Sequence, residues 1–388
     1  MKIYKYKKCK VLLQFIILFI PCFCSYLRLT LIPINLNNEY THIESYLKKC
    51  SDSSFVTPTN FPYISDPKIS IVTPVYNTGR FVLRLLKSIQ YQNFQSLEII
   101  LIDDFSNDNS VDLIKQYQRD DHRIRLILNK RNRGTFSSRN IGIMKSRGSY
   151  FIFPDSDDIL LDNSLNYFYN FAFKHNYEFV RFNVYLHYGH AFFETITNKL
   201  ESKPIYQPEL SNYIFYGLGF LLQVDYNICN KIIKREALIR ALNKIDYIYL
   251  NLYMTCHEDG MLNYLLYRTA ASSYFLKKFG YYYIKNNYKH RKSYYNFNNM
   301  KFSFIHLMSV FNFSKNTKHE KDMTNELFKR LIYRKRIKDK LFLFTGEFNF
   351  FINAIDIFNE NEFFLIKYKK YLNYFKIYFN KIMNKKII

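Results

Sequence analysis

The sequence predicts an α/β fold in which a mainly parallel sheet is covered by helices on both faces. Between residues 68 and 153, short apolar segments rich in β-branched residues alternate with segments of helical periodicity, and this alternation is typical of βαβ units. The strand segments are apolar at nearly every position, which indicates that both faces of the sheet are buried. Polar residues directly follow three strands. Since ligands of such sheets bind at the carboxyl ends of the strands, these residues mark the predicted site.

The predicted strands and helices follow one another in a regular order. The segment KISIVTPV is a β-branched, apolar run, and LEIILI is a second buried-strand pattern. The predicted strands cover residues 68–75, 97–102, 123–128 and 150–153. Helical spacing in the three connections predicts a first helix through Leu83, Leu86 and Ile89 and two further helices over about 109–118 and 136–145.

Carboxylates gather at the ends of these strands. Asp103 and Asp104 end the second strand, and Asp155–Asp158 (DSDD) follow the fourth. Carboxylates packed this closely repel one another, and a hard divalent cation such as Mg²⁺ or Mn²⁺ relieves that repulsion because it binds oxygen ligands. An Asx turn that caps a helix is the alternative, but it needs only one or two aspartates. Taken with the other strand ends, the pattern predicts a metal site.

The composition is that of a folded protein and sets limits on its partners. The chain has 388 residues, of which 48% are hydrophobic, so it can bury one large core or two modest ones. The net charge of +24 would suit nucleic-acid binding. However, 36 Tyr, 38 Phe, no Trp and only 10 Gly match a bias towards A/T-rich codons, which also favour Lys. We therefore expect no nucleic-acid partner, and anionic substrates or membrane surfaces explain the charge equally well.

The two ends of the chain differ from its middle. Residues 1–32 place a Lys-rich head before an apolar run, which is the pattern of a signal peptide or of a signal anchor in a membrane. The positive head predicts that the rest of the chain enters the secretory lumen, in the endoplasmic reticulum or Golgi. Residues 33–67 are polar and contain four prolines, which predicts a stem or linker. Residues 294–388 show apolar residues at helical spacing, which predicts a helical C-terminal extension.

Four segments, in their order and spacing, resemble the family 2 glycosyltransferases of the GT-A fold: ISIVTPVYN, EIILIDDFSNDNS, NRGTFSSRNIG and GSYFIFPDSDD. The similarity is dense over residues 68–182 and continues more sparsely through NKIIKREAL and HEDGMLNYLLYRTA. The resemblance implies a GT-A catalytic domain over residues 68–293, with a Rossmann-like, mixed or mainly parallel sheet. It also implies transfer of a sugar from a nucleotide-sugar, most simply a UDP-sugar, to a hydroxyl group in glycan biosynthesis.

The resemblance implies that the ends of the first two strands hold the nucleotide base. Pro74, Val75 and Tyr76 would form the lip on which the base rests, with an aromatic face for stacking. Asp104 would accept a hydrogen bond from the uracil N3–H, and Asp103 would support the strand end beside it.

The resemblance also implies a DXD motif at the end of the fourth strand. Asp157 would be the main ligand of Mn²⁺ or Mg²⁺ across the diphosphate, and Asp155 would bind the ribose or the metal. Ser156, between them, belongs to the same donor site. Arg139 would face the anionic groups of the nucleotide, or else form an ion pair on the surface.

A second acidic pair, Glu258 and Asp259, precedes a helical segment. In the family, the aspartate of this pair is the general base, which takes the proton of the acceptor hydroxyl as that oxygen attacks the anomeric carbon and inverts it. Such a base must lie within hydrogen-bond reach of its proton, so the resemblance places the pair on the acceptor side. The alternative is ordinary acidity at a helix N-terminus, which complements the helix dipole.

The sequence departs from the processive members of the family. Polysaccharide synthases that resemble it carry a Gln-x-x-Arg-Trp motif and several membrane spans, whereas this chain has no Trp and no long apolar segment beyond its N-terminus. We therefore expect a non-processive enzyme with a glycan, lipid or protein acceptor. The alternatives are a nucleotidyltransferase, for which TPVYNTGR is too poor in glycine, and a non-enzymatic binding protein, which would have lost Asp157 or Asp259.

Overall fold

The computed structural model describes residues 39–51, 60–188, 191–194, 203–210, 227–245 and 258–284. The chain divides into two compact units, Met1–Met323 and Thr324–Ile388, and all described residues belong to the first. The predicted targeting segment and the predicted helical extension lie outside the described residues and stay predictions.

Strands and helices alternate through the first half of the described chain. The strands are β1 Ile69–Val75, β2 Leu97–Asp103, β3 Ile124–Leu128, β4 Tyr150–Ile152, β5 Ile159–Leu160, β6 Phe179–Tyr188, β7 Ala191–Glu194, β8 Pro204–Tyr206, β9 Lys231–Lys234 and β10 Ser272–Ile284. The helices are α1 Glu39–Ser51, α2 Phe81–Gln90, α3 Ser110–Asp120, α4 Thr135–Lys145, α5 Ser164–His175, α6 Arg235–Leu242 and α7 Glu258–Thr269.

The described strands form one mixed sheet in the order β3-β2-β1-β4-β9-β6-β10-β5, with β7 added beside β6 and β8 beside β10. Within the group β1 to β4, each pair of neighbouring strands is parallel, as predicted. Strand β9 is antiparallel to both β4 and β6, whereas β10 is parallel to β6 and antiparallel to β5. The carboxyl ends of β1, β2 and β4 therefore meet at one edge of the sheet.

Helices cover both faces of the sheet, as the apolar strands predict. Successive side chains of a strand point to opposite faces, and on β1 Ile71 packs in a cluster with Leu85 of α2, whereas Val72 packs in another cluster with Phe136 of α4. Every residue of β2 is buried. This two-sided core holds the ends of the strands in fixed positions.

The segment predicted as a stem or linker includes a helix, α1, which the sequence analysis did not predict. Its Tyr46 and Cys50 are buried, and the Tyr46 hydroxyl donates hydrogen bonds to the carbonyl oxygens of Ser88 and Leu160. Apolar side chains at helical spacing, Ile43, Tyr46, Leu47 and Cys50, carry the signal for it. Among the helices that the structure describes, none has the length and apolar character needed to cross a membrane.

Candidate active site

The predicted base lip lies at the carboxyl end of β1, but its three residues differ in accessibility. Val75 is fully buried in the core, so its side chain cannot face a ligand. Pro74 is partly buried, and Tyr76 is 45% exposed. The aromatic face that was predicted for stacking is therefore available on Tyr76, while Val75 has a packing role.

Asp103 and Asp104 end β2 beside this lip, and the two carboxylates differ in their hydrogen bonds. Asp104 accepts hydrogen bonds from the backbone N–H groups of Arg133 and Gly134 at 2.7 and 2.8 Å and from the Asn129 amide at 2.9 Å. Asp103 Oδ2 accepts one from the Ser106 N–H at 3.1 Å, whereas its buried Oδ1 has no hydrogen-bond partner among the described residues. Asp103 thus keeps one oxygen without a donor from this part of the chain, while both oxygens of Asp104 hold the loop before α4.

Phe105 follows the two aspartates and stands beside the same edge. Its side chain is 53% exposed, and its backbone is in the left-handed region at φ +70°, where a bulky residue is strained. Such strained residues concentrate at ligand sites. The sequence analysis did not select Phe105, although its position directly after the two aspartates was a usable signal.

The DSDD turn connects β4 to β5 and is tied to its surroundings by its buried end. The Thr73 hydroxyl donates to the carbonyl oxygen of Pro154 at 2.9 Å, so the turn starts beside the end of β1. Asp158 is fully buried and accepts from the Tyr281 hydroxyl and the Ile284 N–H, at 2.7 and 2.8 Å. The fourth residue of the motif is therefore structural.

The remaining residues of the turn are less uniformly buried than Asp158. The Asp155 side chain is 41% exposed, Asp157 is partly buried and Ser156 is buried. Arg84 of α2 donates to the carbonyl oxygen of Asp157 at 3.3 Å, and its buried Nε has no hydrogen-bond partner in the described part of the chain. Burial lowers the pKa of Arg84, against the opposing effect of the Asp157 carboxylate. Arg84 was not among the predicted site residues. Its place near the start of α2, the helix that follows β1, was a usable signal.

Arg139 joins the DSDD turn to the second acidic pair. Its guanidinium is buried and lies 2.8 Å from the Asp259 carboxylate, 3.6 Å from Glu258 and 3.8 Å from Asp155. Asp259 Oδ2 also accepts from the Ile228 N–H at 3.2 Å. The structure thus brings four predicted site residues into one cluster, and the alternative of a surface ion pair for Arg139 does not hold.

One guanidinium faces three carboxylates in this cluster, and the protonation equilibria reflect the imbalance. Burial alone would lower the pKa of Arg139, but Asp259, Glu258 and Asp155 raise it. Burial and the Asp259 carboxylate raise the pKa of Glu258 above its usual range. A single buried guanidinium is therefore shared by three carboxyl groups.

The donor set fits a divalent cation that shares its ligands with a substrate. Among the described residues, no group of three or more His, Cys, Asp or Glu side chains is placed to hold a metal ion. Asp155 and Asp157 supply two carboxylates, and Mg²⁺ is usually held by one or two carboxylates together with substrate phosphates. Phosphate oxygens of a bound donor would complete such a site.

Comparisons with known proteins identify the family. The profile of the family described as Glycosyl transferase family 2 matches residues 70–241. An uncharacterized glycosyltransferase of Haemophilus influenzae is 32% identical over 212 residues, which make up 54% of this chain and 78% of the relative. The chain belongs to glycosyl transferase family 2. This family 2 membership makes the chain a glycosyltransferase and confirms the predicted family and enzyme class.

Other family 2 relatives match over shorter stretches. The Campylobacter jejuni protein named GalNAc(5)-diNAcBac-PP-undecaprenol beta-1,3-glucosyltransferase is 37% identical over 101 residues, and the match spans 26% of this chain and only 33% of that protein.

A solved structure supports the fold. The crystal structure of S. aureus TarS 1-349 in complex with UDP-GlcNAc superposes with a TM-score of 0.52 at 18% identity, covering 71% of this chain and 75% of that chain. The predicted GT-A fold is thereby confirmed for the described residues.

Proposed function

We propose that this chain transfers a sugar from a UDP-sugar to a hydroxyl acceptor, one sugar at a time, in a metal-dependent and inverting reaction with Asp259 as the general base. The observation that carries the proposal is the buried Arg139 guanidinium, which contacts Asp259 at 2.8 Å and lies 3.8 Å from Asp155. One fixed cation thus links the carboxylate expected on the donor side with the carboxylate expected on the acceptor side.

The surroundings of Asp259 suit a base. A carboxylate has about four lone-pair positions, and the hydrogen bonds from Arg139 and from the Ile228 N–H use two of them on different oxygen atoms. The carboxylate is therefore oriented and can still accept the proton of the acceptor hydroxyl. Glu258 has a raised pKa, so it favours its neutral form and adds little negative charge beside the base.

The donor is proposed to bind along the ends of β1, β2 and β4. We assign the uracil N3–H to Asp103 rather than to Asp104, because the buried Asp103 Oδ1 has no partner among the described residues and a buried acceptor without a hydrogen bond is costly. Tyr76 and Phe105, both exposed, would contact the base.

The leaving diphosphate needs positive charge as it departs. Asp155 and Asp157 would hold Mn²⁺ or Mg²⁺, and this cation, when bound, supplies the charge that stabilises the leaving group. Arg139 adds a fixed positive charge from the protein itself, and because it is buried it needs little reorganisation during the reaction.

The relatives support the substrate classes to be tested first. TarS was crystallised in complex with UDP-GlcNAc, which supports a UDP-linked donor. The name of the Campylobacter jejuni relative specifies a glycan linked through diphosphate to undecaprenol, which supports a lipid-linked glycan as the first acceptor to offer.

The test is calorimetric titration of the full chain with UDP, GDP and CMP, each with and without MnCl₂. We expect binding of UDP alone, strengthened by MnCl₂, and loss of the MnCl₂ effect in Asp157→Ala. Asp103→Asn should weaken UDP binding more than Asp104→Asn does in variants of equal helix content. Tighter binding of GDP would contradict the UDP assignment, and no binding to the folded chain would favour a non-enzymatic protein on this fold.

A further inference from the structure

The DSDD turn is held from behind by a residue far away in the sequence. The Tyr281 hydroxyl of β10 donates to Asp158 Oδ2 at 2.7 Å and accepts from the Asp155 backbone N–H at 2.9 Å. One hydroxyl therefore contacts both ends of the four-residue turn. Tyr281 and Asp158 are both fully buried, so water does not compete for these bonds.

Two further hydrogen bonds complete this support. Asp158 Oδ1 accepts from the Ile284 N–H at 2.8 Å, and the Asp158 N–H donates to the Asp155 carbonyl oxygen at 3.2 Å. Both side-chain oxygens of Asp158 thus accept hydrogen bonds, whereas the side chains of Asp155 and Asp157 are partly exposed. These hydrogen bonds fix the backbone of the turn at its buried end. They thereby position the residues that carry the two partly exposed carboxylates, Asp155 and Asp157.

We propose that Tyr281 is a positioning residue, which together with Asp158 fixes the turn that carries the metal ligands Asp155 and Asp157. This inference rests on the proposed function, since it assumes that the turn binds a divalent cation. Outer partners that orient metal ligands typically contribute 10-fold to 100-fold to metal affinity. Strand β10 lies outside residues 70–241, the range that matches the family profile, so the support comes from a part of the chain that the profile does not include.

The chain offers a matched control in the next residue. Tyr282 is equally buried, at 2% exposure, but it packs in a different cluster with Tyr46 and Cys50. Tyr281→Phe keeps the ring in the core and removes only the hydroxyl. Tyr282→Phe removes a hydroxyl from the same strand that lies in the other cluster, with Tyr46 and Cys50, and leaves in place the Tyr281 hydroxyl that contacts Asp155 and Asp158.

The experiment titrates MnCl₂ into the full chain in the presence of saturating UDP and records the manganese dissociation constant by electron paramagnetic resonance. We expect Tyr281→Phe to raise this constant about 10-fold and Tyr282→Phe to change it less than about twofold. UDP affinity without metal should stay within about twofold of the wild-type value in both variants. This measurement is the control for folding, since a general loss of structure would lower UDP affinity as well.

A second variant keeps the inference testable if Tyr281→Phe does not fold. Asp158→Asn retains the size of the side chain and should raise the manganese dissociation constant by a similar factor. The double variant should show a rise smaller than the product of the two single effects, since the two residues share one hydrogen bond. Manganese affinity like that of the wild type in either folded variant overturns the inference alone. A wild-type chain that binds no manganese with UDP overturns the proposed function and this inference together.

Discussion

Replacement of Arg139 by methionine tests the central cluster most directly. The substitution keeps most of the side-chain volume but removes a buried charge that lies within 4 Å of three carboxylates. Breaking a buried ion pair by removing one partner costs about 3–5 kcal/mol, because the other partner is left uncompensated. Since Asp155 is 41% exposed and water screens its charge, we take the lower end, about 3 kcal/mol, as the loss in free energy of unfolding.

This loss corresponds to a clear change in melting temperature. For a domain of this size, about 1 kcal/mol shifts the melting temperature by roughly 2–4 °C, so Arg139→Met should melt about 6–12 °C below the wild type, as measured by far-ultraviolet circular dichroism at pH 7.5. Arg125→Met is the control, because Arg125 pairs with Glu98 at 3.2 Å but is 35% exposed, and such pairs contribute about 0–1 kcal/mol. An Arg139→Met chain that melts within about 2 °C of the wild type would refute the buried cluster.

Three further predictions concern the base, β10 and the sheet. Asp259→Asn should lower kcat by about 10²–10⁴-fold and leave UDP affinity with MnCl₂ within about twofold, and an equal loss of both would contradict its role as base. Gly280→Ala should lower the melting temperature by several degrees, since the added Cβ would lie 2.1 Å from Phe168; an unchanged melting temperature would contradict the placement of β10. Burial alone would raise the pKa of Glu98, but hydrogen bonds, first from the Arg147 N–H, lower it. Its contribution to stability is thus present above the usual value of 4.5 and lost as the pH falls through the lower folded value. Glu98→Gln should therefore be less stable than the wild type at pH 7 and approach it in stability under acid, which unfolding curves from pH 7 to pH 2 will check.

The first half of the sheet was predictable because its signals are local. Strands β1 to β4 and helices α2 to α4 begin and end within about two residues of the predicted bounds, since each βαβ unit carries its own switch from strand to helix periodicity. The later strands were not predicted one by one. β5 has two residues, too few for a pattern, and β10 takes its place beside β6 through pairing between distant parts of the chain.

The site was predictable in composition and only partly in arrangement. The acidic strand ends and Glu258–Asp259 are visible as sequence patterns, but the contact of Arg139 with Asp259 joins residues 120 positions apart. Residue spacing also cannot show which of Asp103 and Asp104 would bind the base. That depends on the loop before α4, whose backbone N–H groups donate to the Asp104 carboxylate. Tyr281 lacked any signal, since nothing near it in the sequence marks a hydroxyl directed at the DSDD turn.

The late position of β10 has a consequence for synthesis on the ribosome. The hydrogen bond between Asp158 and Tyr281 spans 123 residues. At about 5–20 residues per second, translation needs roughly 6–25 s to pass from one partner to the other, during which the crowded aspartates are already made but lack their support. The nascent chain can pair β1 to β3 in that interval, yet the acidic turn stays unfinished until the last described strand has emerged. The metal-binding turn would then be completed in a late step, after β1 to β3 have been made.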